Sequence, residues 1–210
     1  MNKTPSFEEE KKHWDIGIEA VVGIDEVGRG AFAGPIVAAG VVFSPHFDPS
    51  FLQTVNDSKL LKPQQRETLS EIIKEKALFW AIESVDTSYI NRNGTEKANS
   101  AVFRKVLKKI ILQTSNYFVL IDGFHKKYLP GGRHKQKAIV KGDQRSLSIA
   151  SASIIAKVHR DSLMIRLGEL FPAYQFANHK GYGTKQHRIV IRKQGVSPYH
   201  RTVFCQKYLS

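Results

Sequence analysis

Two apolar runs that each stop on a carboxylate constrain the fold of this chain more than any other feature. Ala20-Val21-Val22-Gly23-Ile24 leads into Asp25-Glu26, and Tyr117-Phe118-Val119-Leu120-Ile121 leads into Asp122. Both runs are short and rich in β-branched or aromatic residues, so they read as buried strands. A carboxylate at the end of such a strand is costly unless it is solvated or paired.

The other segments fill in an α/β pattern. Residues 7–14 read as a short charged helix or arm, and Ile36 to Phe43 as a second buried strand that pairs with the first as a hairpin. Residues 44–62 read as a surface loop, and Pro63 as a first-turn residue of a helix with Leu69, Ile72 and Ile73 on its apolar stripe. Leu78 to Val85 reads as a third strand. Residues 96–113 form an amphipathic helix, with Ala98, Val102, Val106 and Ile110 on one face and Arg104, Lys105, Lys108 and Lys109 on the other. After Asp122, residues 125–137 read as a basic loop and Ala138 to Val140 as a short fifth strand. A long helix is expected from about Arg145 to Leu170, ended by Pro172. Its first half is rich in Ser and Ala, which lets a helix approach a sheet closely. From Thr184 the tail reads as two short helices split by Gly195 and Pro198. The whole predicts one α/β domain over residues 1–210, with a mixed sheet and a helical extension over about 172–210.

Charge narrows the partners. Thirty-two Lys and Arg against nineteen Asp and Glu give a formal +13, which favours a polyanion such as nucleic acid. The single cysteine, Cys205, excludes an internal disulfide and any paired-cysteine zinc motif. No apolar run reaches the roughly 20 residues that span a bilayer, and the first residues have no secretory apolar core. The expectation is a cytoplasmic, monomeric protein with no membrane partner.

Asp143, in Lys141-Gly142-Asp143, joins Asp25, Glu26 and Asp122 as a fourth candidate acid. Converging carboxylates repel one another, and a divalent cation relieves that repulsion. All-oxygen ligands suit Mg²⁺ or Mn²⁺ rather than zinc. Each acid also has a local reading: Asp143 as a helix cap, Asp122-Gly123 as a turn. Asp25 and Glu26 are adjacent, so a strand directs them to opposite faces unless they stand at its end. Asp161 is a rival, although its neighbour Arg160 suggests an ion pair.

Gly28-Arg29-Gly30-Ala31-Phe32-Ala33 formally fits a dinucleotide-binding G-x-G-x-x-A pattern. That pattern should open a helix, whereas Gly34-Pro35 and a strand-like run follow, and Asp25 and Glu26 would face a pyrophosphate. The glycines are better read as letting backbone approach a ribose, whose 2′-hydroxyl separates RNA from DNA.

Together these stretches resemble the ribonuclease HII family. The resemblance is carried by GIDEVGRGAFAGPIVAAGVVF from Gly23, NDSKLL from Asn56, IDG from Ile121, KGDQRSLSIASASIIAKVHRD from Lys141, NHKGYGTKQH from Asn178 and GVSPYHR from Gly195. It implies a ribonuclease H-like fold and a Mn²⁺- or Mg²⁺-dependent endonuclease. The implied substrates are RNA–DNA hybrids and duplex DNA carrying ribonucleotides, with a role in replication and repair. It places the metal ligands on Asp25, Glu26, Asp122 and Asp143, 2′-hydroxyl recognition on Gly28, Arg29 and Gly30, and sugar stacking on Tyr182. Lys59, Lys141, Lys180 and the basic loop around Arg133 are candidate phosphate contacts. Ala31-Phe32 stands where relatives often carry Pro-Leu, and Leu60 where a second Lys is frequent. With the first motif at Gly23, the additional N-terminal domain of a sister type is not expected.

Overall fold

A computed structural model describes residues 4–48 and 62–209. Five strands, β1 (Ala20–Val27), β2 (Ile36–Val42), β3 (Phe79–Val85), β4 (Tyr117–Asp122) and β5 (Gln136–Ile139), form one sheet in the order β3-β2-β1-β4-β5. The β1–β2 and β2–β3 pairs are antiparallel; the β1–β4 and β4–β5 pairs are parallel. The sheet is mixed, and the expected β1–β2 hairpin is present. β5 starts at Gln136, so the basic segment is shorter than its composition suggests.

The two faces of the sheet carry different helices. Ala20, Val22 and Ile24 of β1 pack with Ala98, Val102 and Val106 of α4 (Thr95–Ile111). The alternate residues face α5 (Leu147–Leu170), where Val21 meets Ile149. A Cβ on Gly23 would stand 2.2 Å from the Ser148 backbone. The small residues of α5 and the glycine of β1 thus allow helix and strand to touch at main-chain distance, as the Ser- and Ala-rich half of the helix led one to expect.

α1 (Glu8–Trp14) and α2 (Pro63–Lys76) stand where the sequence placed them. One helix escapes the periodicity: α3 (Thr87–Asn93) is polar and is held by its ends, with the Asp86 carboxylate accepting from Tyr89 N–H and Gly94 stopping it at φ 81°. The C-terminal portion holds α6 (Phe176–His179), α7 (Lys185–Gln194) and α8 (Thr202–Cys205); the short α6 was not anticipated. Phe32 packs with Ile191, Cys205 and Tyr208, so the position that departs from the Pro-Leu pattern ties the glycine turn to the C-terminal helices. No helix among the described residues is long and apolar enough to cross a membrane.

Candidate active site

β1 outruns its parallel neighbour, and the site lies where it does so. Ile24 pairs with Ile121, the last pairing between β1 and β4. Asp25 and Asp122 each come next, so the register sets them side by side at the carboxyl ends of two parallel strands, where an open α/β sheet offers a crevice. Asp25 points toward α5, where Ser153 hydrogen-bonds its side chain. Glu26 points to the opposite face, where its Oε1 accepts from Asn99 Nδ2 of α4 at 3.3 Å. The adjacent pair does diverge, as alternation demands, yet both line one cavity because it opens off the strand end.

That cavity, about 390 Å³, is lined by Asp25, Glu26, Asp122 and Asp143, by Gly28, Arg29 and Gly30, and by Ser153, Lys157 and Tyr182. Asp143 enters from a tight turn between β5 and α5, Gly142–Gln144. It does not cap α5: Ser146 does, its Oγ accepting from Ile149 N–H. Gly142 N–H in turn donates to Asp122 Oδ1 at 2.7 Å, which couples the β4 end to the Asp143 turn.

The acids press on one another. Asp25 is almost fully buried, and its carboxyl is pushed well above the usual range, first by burial and then by the charges of Glu26 and Asp122. Glu26 is also raised, chiefly by burial, with Lys126 and Arg29 opposing. Among the described residues no three Asp, Glu, His or Cys side chains converge closely enough to enclose a metal ion as they stand. Asp25 Oδ1 accepts from Glu26 N–H, Asp122 Oδ1 from Gly142 N–H and Glu26 Oε1 from Asn99. An all-oxygen set of acids lining one cavity, with Asp25 repelled by Glu26 and Asp122, fits a hard divalent cation in chemistry.

Other candidates divide. Gly28 is buried, has φ +89°, and the space of its missing Cβ is filled by the Arg160 guanidinium. The glycine there is required by packing against Arg160, while its backbone still lines the cavity. Gly30 is exposed with nothing within 4 Å of a would-be Cβ, which keeps it available to one. The exposed Arg29 side chain pairs with Glu96 at 2.9 Å. Lys141 and Lys180 do not line the cavity, and Lys180 Nζ bonds the Ala177 carbonyl. Lys59 lies outside the described residues. Arg133 borders a separate basic cavity with His125, Lys126 and Lys127. Asp161 is indeed ion-paired, but with Lys157 at 2.7 Å, not with Arg160.

Arg160 belongs to a group that sequence reasoning missed. Fully buried, it donates to the carbonyls of Pro35, Ala33 and Lys180, and its guanidinium lies 5.3 Å from the Tyr182 ring centroid. Arg201, also fully buried, donates to the carbonyls of Gly34 and Arg29. These two cations bind the glycine turn to the Tyr182 turn through main-chain oxygens. On the other side, α1 supports the Asp143 turn. Glu10 Oε1 accepts from Ser146 Oγ and Ser148 N–H at the start of α5, and Glu9 pairs with Arg145 and Lys137. Arg160 and Arg201 sit inside the quoted family stretches, which was the one signal that could have flagged them.

The comparisons with known proteins agree with this architecture. The ribonuclease HII family profile matches residues 22–207. A ribonuclease HII of Roseiflexus castenholzii is 43% identical over 202 residues, covering 95% of this chain and 88% of that protein. Ribonuclease HII of Archaeoglobus fulgidus, solved in complex with PCNA, superposes with a TM-score of 0.70 at 27% identity, covering 90% of this chain and 95% of that one. Bst-RNase HIII, solved with Mn²⁺, superposes with a TM-score of 0.71 at 23% identity over 94% of this chain and 71% of that one, a likeness of fold. With its mixed five-stranded sheet, acid-lined cavity and near-complete match, this chain belongs to the ribonuclease HII family and is a ribonuclease H endonuclease.

Proposed function

We propose that the enzyme hydrolyses the RNA strand of RNA–DNA hybrids and nicks 5′ to ribonucleotides embedded in duplex DNA, leaving 3′-hydroxyl and 5′-phosphate ends, by a two-metal mechanism. The observation that carries this reading is the single cavity shared by the four carboxylates, the Gly28–Gly30 turn and Tyr182. Ions, Mn²⁺ or Mg²⁺, would be held by Asp25, Glu26, Asp122 and Asp143; when bound, they supply activation of the attacking water and neutralise charge on the scissile phosphate and the leaving oxygen.

The chain's own residues divide the remaining work. Asp143, on the turn tied to Asp122, orients the water. Gly30, with no side chain and open space, brings its backbone to the 2′-hydroxyl, which is the group that distinguishes RNA. Tyr182, 36% exposed at the cavity rim, stacks on the sugar at the junction. Lys157, a lining residue not anticipated from sequence, stands where it can meet a phosphate. Lys59, Lys141 and Lys180 contact more distant phosphates, and sequence-independent backbone contacts dominate affinity.

The test is incubation of a duplex carrying one ribonucleotide with enzyme and Mn²⁺ or Mg²⁺, followed by mapping of the nick. Cleavage immediately 5′ to the ribonucleotide is expected. Asp122→Asn should abolish cutting while hybrid binding persists. Near-normal turnover by that variant would remove the metal role.

A further inference from the structure

Behind Tyr182 runs a hydrogen-bond chain whose direction has one solution. His187 Nδ1 lies 2.9 Å from the Tyr182 carbonyl oxygen. A carbonyl only accepts, so His187 carries its proton on Nδ1. Its Nε2 must then accept, and its partner there is His200 Nε2 at 3.0 Å, which therefore donates. His200 Nδ1 is left as an acceptor, and it faces the Ser197 N–H and hydroxyl, both at 2.8 Å. A backbone donor at one end and a backbone acceptor at the other fix both tautomers. Both rings are buried, at 0% and 1% exposure, and burial brings each down to about 4, so both are neutral at physiological pH.

The main chain held by this relay needs holding. Lys180 has φ 52° and Gly181 φ 79°, so the turn before Tyr182 is left-handed and lies outside helix and sheet. Its other side is fastened too. Lys180 O accepts from Arg160, and His179, stacked on His187 at 4.2 Å, accepts from Gly181 N–H and bonds the Tyr174 carbonyl. Neither His187 nor His200 lines the cavity, so neither reaches substrate directly.

We propose that His187, oriented by His200, is a positioning residue for the reaction: it fixes the Tyr182 main chain so that the ring stands at the cavity mouth, and it thereby sets the preference for a ribonucleotide–DNA junction over a uniform hybrid. This rests on the reading of Tyr182 as the sugar-stacking residue.

The experiment compares single-turnover cutting of a single-ribonucleotide duplex with that of a uniform RNA–DNA hybrid. His187→Phe keeps ring volume but removes the bond to Tyr182. His187→Asn retains an N–H near the Nδ1 position. Tyr182→Ala should lower the junction-to-hybrid ratio roughly tenfold, the scale of one lost stacking contact. His187→Phe should lower it in the same direction by a smaller factor, because Thr184 N–H still bonds the Tyr182 carbonyl at 2.8 Å. The double variant should fall no further than Tyr182→Ala, and His187→Asn should restore most of the loss. Loss of the ratio in Tyr182→Ala but not in His187→Phe overturns the relay. An unchanged ratio in Tyr182→Ala overturns the stacking reading, and the proposal with it. Nitrogen-15 NMR of the unmodified enzyme supplies a readout independent of activity. Protons on His187 Nδ1 and His200 Nε2 support the relay, and the opposite tautomer in either ring overturns it.

Discussion

The two walls of the cavity both bury like charges and differ in what compensates them. The acid wall crowds Asp25, Glu26 and Asp122 at the ends of β1 and β4, where burial and like charge raise the Asp25 carboxyl. The recognition wall is held by buried cations and neutral imidazoles that bind main-chain oxygens. Arg160 and Arg201 reach the carbonyls of Arg29, Ala33, Gly34, Pro35 and Lys180, and His187 reaches that of Tyr182. The first wall works against the metal-free fold and needs a counter-charge. The second also bears a burial cost, since desolvation and then the Arg160 charge bring Arg201 down to about 9, but it meets that cost with hydrogen bonds to main-chain oxygens. On the function proposed above, the acid wall is thus opposed to stability, whereas the wall around Tyr182 is held by the same main-chain bonds that hold the fold.

The sharpest way to break this contrast is to neutralise one acid and remove one cation. Asp25→Asn should cost turnover on the order of a thousandfold or more, the several kcal/mol a metal site contributes to the transition state. The same substitution should raise the metal-free melting temperature, because the amide keeps an oxygen for Glu26 N–H and loses the repulsion. Arg160→Met should do the reverse to stability. Three carbonyls lose their donor in a buried site, which costs about 3 kcal/mol and lowers the melting temperature by roughly 10 °C. Arg160→Lys should recover little of it, since one ammonium cannot reproduce a planar fork. Calorimetry of the metal-free variants checks both signs, and a fall in melting temperature for Asp25→Asn would erase the distinction.

The same contrast decides what the sequence could reveal. β1, β2 and β4 are legible because each is a continuous apolar run, and α4 because its stripe repeats every three to four residues. Asp25, Glu26 and Asp122 are legible because a charge at the end of such a run is conspicuous, whereas Asp143, on a turn, is singled out from Asp161 only by the family resemblance. Even the divergence of Asp25 and Glu26 follows from alternation, although only the extension of β1 beyond Ile24 shows why both still reach the cavity. The frame of Arg160, Arg201, His187 and His200 behind the glycine turn and Tyr182 is illegible for a physical reason. Its partners are backbone carbonyls, which every residue has, and its donors are Arg and His, which composition assigns to the surface. α3 escapes likewise, since it rests on an Asp86 cap and a glycine stop rather than on an apolar face.

Acid should also separate the two walls. His187 and His200 titrate near 4 in the fold against about 6.5 when unfolded, so the unfolded chain binds more protons between those values. Their contribution to stability is complete above pH 6.5, declines as pH falls, and is gone below about 4. Glu9 adds a second loss. Burial tends to raise its carboxyl, but Lys137 and Lys12 outweigh that and bring it to about 2, so its contribution fades between pH 4.5 and 2. Asp25 and Glu26 act with the opposite sign, because protonation relieves them. Thermal melts from pH 7.5 to 4.5 should therefore show stability falling in the unmodified protein and falling less in His187→Asn. Parallel curves would mean that the imidazole pair contributes nothing to the slope.

The smallest change in the fold should come from the glycine turn, where the walls meet. Gly28→Ala places a methyl in a left-handed position already filled by Arg160, so it should destabilise by more than the usual 1 kcal/mol of a glycine replacement. Gly30→Ala meets nothing within 4 Å and has no left-handed requirement, so its melting temperature should stay within about 1 °C of the parent. If the Gly30 backbone approaches the 2′-hydroxyl, the added methyl stands between protein and sugar. Cutting at a single ribonucleotide should then fall several-fold with the fold intact. If Gly30→Ala cuts as well as the parent, recognition at this turn does not pass through Gly30, and the open face of the turn is only a surface.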